Sequence, residues 1–398
     1  MVLIRSALAL ALTSYTVVQY PFLWNLLPDF TLLFRELIPQ NQPAVRLSQG
    51  IVWGERTSWL NSSIERFLGI PFAVPPVGNL RFDAPKPIPD DPTRIINAQN
   101  YGPSCIPVSF GAGSYLVSED CLTVNVIRPA STDSSAQLPV MVWIYGGGFM
   151  DGASVLYDGS ELVGQSLTIK RPVIYVSMNY RLNLFGFLAS SEVEKRAKVT
   201  GDAALNAGLL DQRLALQWVQ KNIDVFGGDR AKVVVFGECA GGMSIAAHLL
   251  SGRGEDSGLF RGAILESGAA MGFPVVRAKE VDASYAELAE RVGCAWAWPE
   301  AKVLDCLRDV PVDAFQAVLK ERPPVTDIDP REYPDHLVQD DDFYYARPSE
   351  ALHVGKTARV PTIIGTVLDE NTLFTRKTLT SEEELRKHII SMYSSPHI

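Results

Sequence analysis

The chain has 398 residues, of which 47% are apolar and 20% charged, a balance that fits one large globular domain and excludes a disordered or coiled-coil chain. Its 36 basic and 45 acidic residues leave a net charge of −9 without a basic block, which argues against a phosphate-tracking nucleic-acid surface. Five cysteines and five histidines show no Cys-x-x-Cys or His-x-x-x-His spacing, so no zinc site is expected.

Residues 1–27 place Arg5 before an apolar run from Ala7 to Val18 that continues through Phe22, Leu23 and Trp24. This reads as a signal peptide or signal anchor, delivering the chain to the secretory pathway, where disulfides form. As a helix, Ser6 to Leu27 would span about 33 Å, enough for a bilayer core. Membrane contact is therefore expected only if the segment stays uncleaved. Residues 28–42 read as a connector and residues 43–398 as the folded domain. Asn61-Ser62-Ser63 is the one N-glycosylation sequon, in a polar, turn-like stretch.

Arg46 to Gly54 and Ile64 to Phe72 carry short apolar runs broken by Gly and Pro, as antiparallel strands do. Uninterrupted apolar runs follow at Val140–Tyr145, Val173–Met178, Lys232–Phe236, Gly262–Glu266 and Pro361–Gly365. Such runs suit strands buried on both faces of a largely parallel sheet. Helical patterns lie between them, including Ala207 to Phe226, which stops at Gly227-Gly228, and Met243 to Leu250. The alternation predicts an α/β fold with helices on both faces of a mostly parallel central sheet. No internal repeat or low-complexity linker interrupts it.

Two segments carry chemistry. Strand Lys232–Phe236 runs into Gly237-Glu238-Cys239-Ala240-Gly241-Gly242 and then a helix. Glycines two residues either side of a central residue allow a sharp strand-to-helix turn that pushes the central side chain out. This is the nucleophile elbow G-x-S-x-G with Cys239 in place of Ser. A thiol is intrinsically very nucleophilic, and a helix N-terminus favours an anion beside it. The second segment is Tyr145-Gly146-Gly147-Gly148-Phe149. Consecutive glycines after a strand can turn backbone N–H groups toward one point and stabilise the oxyanion of a tetrahedral intermediate. The expected donors are Gly147, Gly148 and Ala240, the residue after the nucleophile. A plain glycine-rich turn and a buried inert thiol are the bland readings of these two segments.

With these residues in place the chain resembles the type-B carboxylesterase/lipase family, the cholinesterase-like branch of the α/β hydrolases. Matching segments run in family order: Phe67 to Gly78, Ser118 to Asn125, Tyr145 to Phe149, Asn179 to Leu182 with Gly186 to Leu188, Asn206 to Gln212, the elbow, and Gly365 to Phe374. The resemblance implies an α/β-hydrolase fold and ester hydrolysis through an acyl-enzyme, with no metal or organic cofactor. It places the catalytic acid on Glu370, with the adjacent Asp369 as rival, and a supporting serine on Ser267. It also implies two disulfides, Cys105 with Cys121 and Cys294 with Cys306, which leaves Cys239 unpaired.

Three departures bear on turnover. Cys239 replaces the serine, and Asn371 stands where the family usually has Gly. The family's histidine lies well after the acid, whereas only His388 and His397 follow Glu370, neither in a family-like context. His248 reads as a packed residue on the helix after the elbow, and His336 and His353 precede the acid. The expectation is that the C-terminal part is incomplete and that an apolar flank lies exposed. The leading reading is a carboxylic-ester hydrolase acting on a small-molecule ester. The alternatives are a catalytically impaired pseudoenzyme or binding protein, an incomplete product of an active enzyme, and an acyltransferase or lactonising enzyme. Acyl group, alcohol and oligomeric state stay open.

Overall fold

The computed structural model describes residues 42–59, 61–108, 115–254, 258–270, 275–297, 302–322, 334–370 and 379–393. The N-terminal segment 1–27, most of the connector and His397 lie outside these residues, as does the side chain of His388.

Among the described residues, eleven strands form two sheets. β1 (Ala44–Leu47) and β2 (Gly50–Trp53) make a hairpin that β5 (Ile95–Asn97) extends in parallel. The larger sheet contains β3 (Glu55–Trp59), β4 (Ser62–Pro71), β6 (Thr123–Pro129), β7 (Leu138–Ile144), β8 (Ile174–Met178), β9 (Gly228–Glu238), β10 (Gly262–Glu266) and β11 (Thr362–Gly365). Their order is β11-β10-β9-β7-β8-β6-β4-β3. The five strands from β11 to β8 run parallel, and β6, β4 and β3 continue the sheet antiparallel.

The interior of the sheet follows from its sequence. All five residues of β8 and all seven of β6 are buried, so both faces are covered. β8 is apolar but for Ser177, and two polar residues of β6 are partnered inside, Asn125 with Ser154 and Ser177 and Arg128 with Glu65. Helices surround them. The helix Ser160–Thr168 lies against β3 through Gly164, where any Cβ would sit 2.4 Å from the Trp59 ring. The helix Ala207–Asn222 buries Leu209, Leu216, Trp218 and Val219, and a 3-10 turn over Ile223–Phe226 ends it at Gly227, φ +87°. A second, smaller apolar cluster gathers Phe82, Phe185 and Phe315 with the helices of residues 282–320. The cystine Cys294–Cys306 ties that region, and Cys105–Cys121 closes the loop before β6.

One buried ion pair anchors the loop after β8. Asp211 accepts from the backbone N–H of Arg181 at 2.9 Å, from its Nε at 2.9 Å and from its Nη2 at 2.7 Å. Both side chains are withdrawn from water, Arg181 at 4% and Asp211 at 0% exposure.

The apolar pattern of Pro361–Gly365 predicts a strand buried on both faces, and here the structure differs. β11 forms and pairs with β10, but all four residues are exposed, Ile363 at 65% and Ile364 at 63%. β11 is the sheet's edge, and among the described residues nothing packs over it. With Val367 and Leu368 it makes an exposed apolar flank. Asn61 lies exposed in the turn between β3 and β4.

Candidate active site

β9 ends at Glu238, Cys239 adopts a left-handed conformation with φ +54°, and a helix runs from Ala240 to Gly254. A non-glycine residue in that region is strained, so its surroundings must hold it. They do so through the backbone. Cys239 N–H donates to Glu266 C=O at 2.9 Å, and Cys239 C=O accepts from Met243 N–H at 2.9 Å. Three glycines let the backbones close around the turn. A Cβ on Gly237 would lie 2.5 Å from Ile144 O, one on Gly241 2.0 Å from the same oxygen, and one on Gly268 2.2 Å from Cys239 O. The elbow is therefore wedged between the ends of β7 and β10. Cys239 is the free cysteine among the described residues and is partly exposed.

The glycine run borders this turn. A Cβ on Gly146 would sit 2.9 Å from the Cβ of Cys239. Gly147 and Gly148 have φ of +112° and +63°. Gly147 C=O accepts from Met150 and Asp151 N–H, both at 3.0 Å, which folds the run into a tight turn. Among the described residues the N–H groups of Gly147, Gly148 and Ala240 donate to no protein acceptor. Unpaired amides beside a partly exposed turn are donors still available to a ligand.

Two buried tyrosines fix the strand end that carries this run. Tyr145 Oη donates to Tyr180 C=O at 3.2 Å, and Tyr180 Oη donates to Tyr145 C=O at 2.9 Å. Their rings stack at 4.5 Å. Loss of solvent raises both phenols above their ordinary value, so each hydroxyl stays a donor. This exchange was not visible in sequence. Each tyrosine stands in a motif segment, but nothing in either spacing pairs them.

Glu370 follows β11. Its carboxylate accepts from the Ser267 hydroxyl and, at 2.9 Å, from Val367 N–H, and these bonds hold its pKa below the ordinary value. Ser267 has φ +49° and donates its N–H to Gly365 C=O at 2.8 Å. The two residues named from opposite sides of a long loop thus meet. Glu238 was part of the elbow but had no assigned role. Partial desolvation raises its pKa, and the charges of Glu370 and Glu266 raise it further. Tyr157, which sequence reasoning did not single out, packs on Trp143 at 5.1 Å and feels the charges of this region. Desolvation raises its phenol, followed by the charges of Glu238 and Cys239. Asp369 is exposed beside Glu370.

The described histidines lie elsewhere in the hydrogen-bond network. His248 is buried on the elbow helix, where its Nε2 pairs with Gln212 Oε1 at 3.1 Å. Desolvation and then Arg213 push its pKa down to about 3, so it is neutral. His353 ends an exposed helix turn, and His336 N–H bonds Phe187 C=O at 3.1 Å. Among the described residues no group of three His, Cys, Asp or Glu side chains is arranged to hold a metal ion.

A model of the carboxylesterase family matches residues 41–395. The chain belongs to the carboxylesterase family. It is 39% identical over 361 residues to Lipase 2 of Diutina rugosa, a match covering 81% of this chain and 62% of that one. It is 36% identical over 340 residues to Secreted lipase 1 of Botryotinia fuckeliana, covering 79% of this chain and 57% of that one. The crystal structure of Aspergillus niger EstA superposes with a TM-score of 0.76 at 31% identity, covering 88% of this chain and 65% of that chain. The fold is therefore the α/β-hydrolase fold. The chain spans less than two thirds of the length of these relatives.

Proposed function

We propose that this chain carries the acyl-transfer site of a carboxylic-ester hydrolase, with Cys239 as the nucleophile. The observation that carries the reading is the set of unpaired amides at Gly147, Gly148 and Ala240 around the left-handed Cys239. Cys239 Sγ attacks the ester carbonyl carbon, and charge develops on the carbonyl oxygen. In this reading the unpaired amides of Gly147, Gly148 and Ala240 are the donors that stabilise that charge. The carbonyl carbon's bond to the ester oxygen breaks, that oxygen leaves as the alcohol with the proton given up by the Cys239 thiol, and an acyl-Cys239 thioester remains. Water then adds to its carbonyl, the carbon–sulfur bond breaks, and the acid leaves as the thiol regains a proton from that water. Glu370, anchored by Ser267, is the carboxylate that would orient a histidine base. Ester substrates are supported by the lipases among the relatives.

Hydrolysis of a p-nitrophenyl ester by wild type and Cys239→Ala tests the reading. Cys239→Ala should fall to the uncatalysed rate. Equal rates in the two proteins would remove Cys239 from the mechanism.

A second reading, a binding protein of the same fold with impaired turnover, is favoured by one observation. Among the described residues Glu370 takes its hydrogen bonds from Ser267 and Val367, and none from a histidine. Retained ester binding with no wild-type turnover would assign the chain to that reading. Entry into the secretory pathway is part of the proposal. It rests on the N-terminal segment, the two cystines, the exposed Asn61 and the secreted relative. Among the described residues no helix is long and apolar enough to cross a membrane.

A further inference from the structure

We infer that Asn183 is a positioning residue for acyl transfer, anchoring a relay of peptide hydrogen bonds that ends on the Gly148 N–H. The inference rests on the reading of Gly147 and Gly148 as oxyanion donors and deepens it by naming what holds one of them in place.

The relay runs through three peptide groups. A trans peptide is planar, with its C=O and N–H on opposite edges, so a bond that fixes one also fixes the direction of the other. Asn183 N–H donates to Phe149 C=O at 2.7 Å. The N–H on the far edge of that peptide belongs to Met150, and it donates to Gly147 C=O at 3.0 Å. Asp151 N–H donates to the same oxygen, also at 3.0 Å. The N–H on the far edge of the Gly147–Gly148 peptide is that of Gly148, which donates to no protein acceptor among the described residues. Asn183 therefore sets the direction of this open donor from two peptides away. Linked amides also polarise one another, so each bond in the series strengthens the next donor.

The turn needs an anchor. Gly147, Gly148 and Phe149 all have positive φ, at +112°, +63° and +61°. Glycine adopts such angles freely, but Phe149 is strained there and relaxes unless it is held. Its carbonyl bond to Asn183 holds the backbone, and its ring packs on Phe187 at 5.1 Å.

Asn183 suits the task on two counts. Its own φ is +43°, a region that asparagine tolerates better than most side chains. Its Nδ2 donates to Ile106 C=O at 2.7 Å, and the residue is 1% exposed. Glycine would accept the backbone but has no amide to offer, and an aspartate carboxylate has no donor. Ile106 follows Cys105, whose bond to Cys121 closes the loop before β6. The same loop grips the turn a second time, where Val108 N–H donates to Met150 C=O at 3.0 Å. Asn183 thus ties the oxyanion turn to a loop that a cystine cross-links.

The test uses the full chain and two reagents for one sulfur, p-nitrophenyl acetate and iodoacetamide. With the ester, Cys239 Sγ bonds to the carbonyl carbon and charge builds on the carbonyl oxygen. The bond to the aryl oxygen then breaks, and p-nitrophenol leaves with the thiol's proton. With iodoacetamide, the sulfur displaces iodide from a methylene carbon and no oxyanion forms. Acylation therefore reads the thiol and the amides, whereas alkylation reads the thiol alone. Peptide mapping locates both adducts. Asn183→Gly should slow acylation at saturating ester by about tenfold, part of the roughly 10²-fold that a shift of about 1 Å can cost, with alkylation unchanged. Asn183→Asp, of the same shape but without the donor, should show the same loss. Cys105→Ser with Cys121→Ser should also slow acylation. Asn183→Gly added to that pair should cost much less than it does alone, because its support is already gone. Each comparison is a ratio of two rates on one protein, so a partly unfolded sample lowers both and leaves the ratio readable. Wild-type acylation in both Asn183 variants would overturn the anchor and leave Cys239 as nucleophile. A parallel fall in acylation and alkylation would make Asn183 a support of the fold alone and overturn its positioning role. Independent, additive losses would overturn the tie to the cystine loop. Alkylation of wild type without acylation would overturn the acyl-transfer reading and the anchor with it.

Discussion

Gly241→Ala sets two opposed effects against each other. Gly241 is the second residue of the elbow helix, and on helix propensity alone Ala should stabilise that helix by about 1 kcal/mol. The added Cβ, however, would lie 2.0 Å from Ile144 O and 3.1 Å from Tyr145 C. Both atoms are backbone, so neither rotates aside. To reach an ordinary 3.4 Å contact with Ile144 O, the helix and the end of β7 must part by about 1.4 Å. Overpacking of this kind costs about 1–3 kcal/mol, and its upper end applies where two backbones collide. The net expectation is a loss of about 2 kcal/mol despite the better helix former. The same displacement carries Cys239 and Ala240 away from Gly147 and Gly148. A shift of about 1 Å between reacting groups can cost about 10²-fold. Urea unfolding followed by tryptophan fluorescence reads the first quantity, and acylation of Cys239 by a p-nitrophenyl ester reads the second. A variant as stable as wild type, with acylation unchanged, would refute the idea that this close approach sets the site.

Three further expectations follow from groups already described. Asp211→Ala leaves the buried Arg181 guanidinium without its carboxylate, and should cost about 3–5 kcal/mol in urea unfolding. Burial depresses the pKa of His248 from 6.5 to about 3, so the unfolded chain binds a proton there that the folded chain refuses. Its penalty is absent above pH 6.5 and grows as pH falls from 6.5 toward 3, by up to about 1.4 kcal/mol per pH unit. His248→Gln should therefore flatten the loss of thermal stability across that window relative to wild type. Glu238 runs in the opposite direction. Its folded pKa is raised above 4.5, so its protonated form favours the fold, and that contribution is lost as pH rises through the raised value. Glu238→Gln should then raise the unfolding temperature more at pH 8 than at pH 4; an equal change at both would contradict it.

Much of this was legible in the chain. Continuous apolar runs located β7, β8, β9 and β10, because strands covered on both faces have no reason to alternate. The elbow was legible because a left-handed residue wedged against two strand ends requires glycines at fixed offsets, and Gly237 and Gly241 supply them. Ser267 and Glu370 came only through family resemblance, since nothing in either segment alone announces the other. β11 was read as buried because an apolar run reports what a strand could cover, and says nothing of whether a neighbour is there. Tyr157 and the exchange between Tyr145 and Tyr180 were illegible for a related reason. They arise where segments distant in sequence converge, and a linear pattern does not record convergence.

Among the described residues the rim at β11 is bare, which has a practical consequence for anyone purifying the protein. A row of open amides and carbonyls backed by Ile363 and Ile364 offers a template on which a stray strand can zip. Concentrated stocks should thicken into assemblies, and Ile364→Lys would blunt that rim, with β10 standing between it and β9, the strand that carries the elbow.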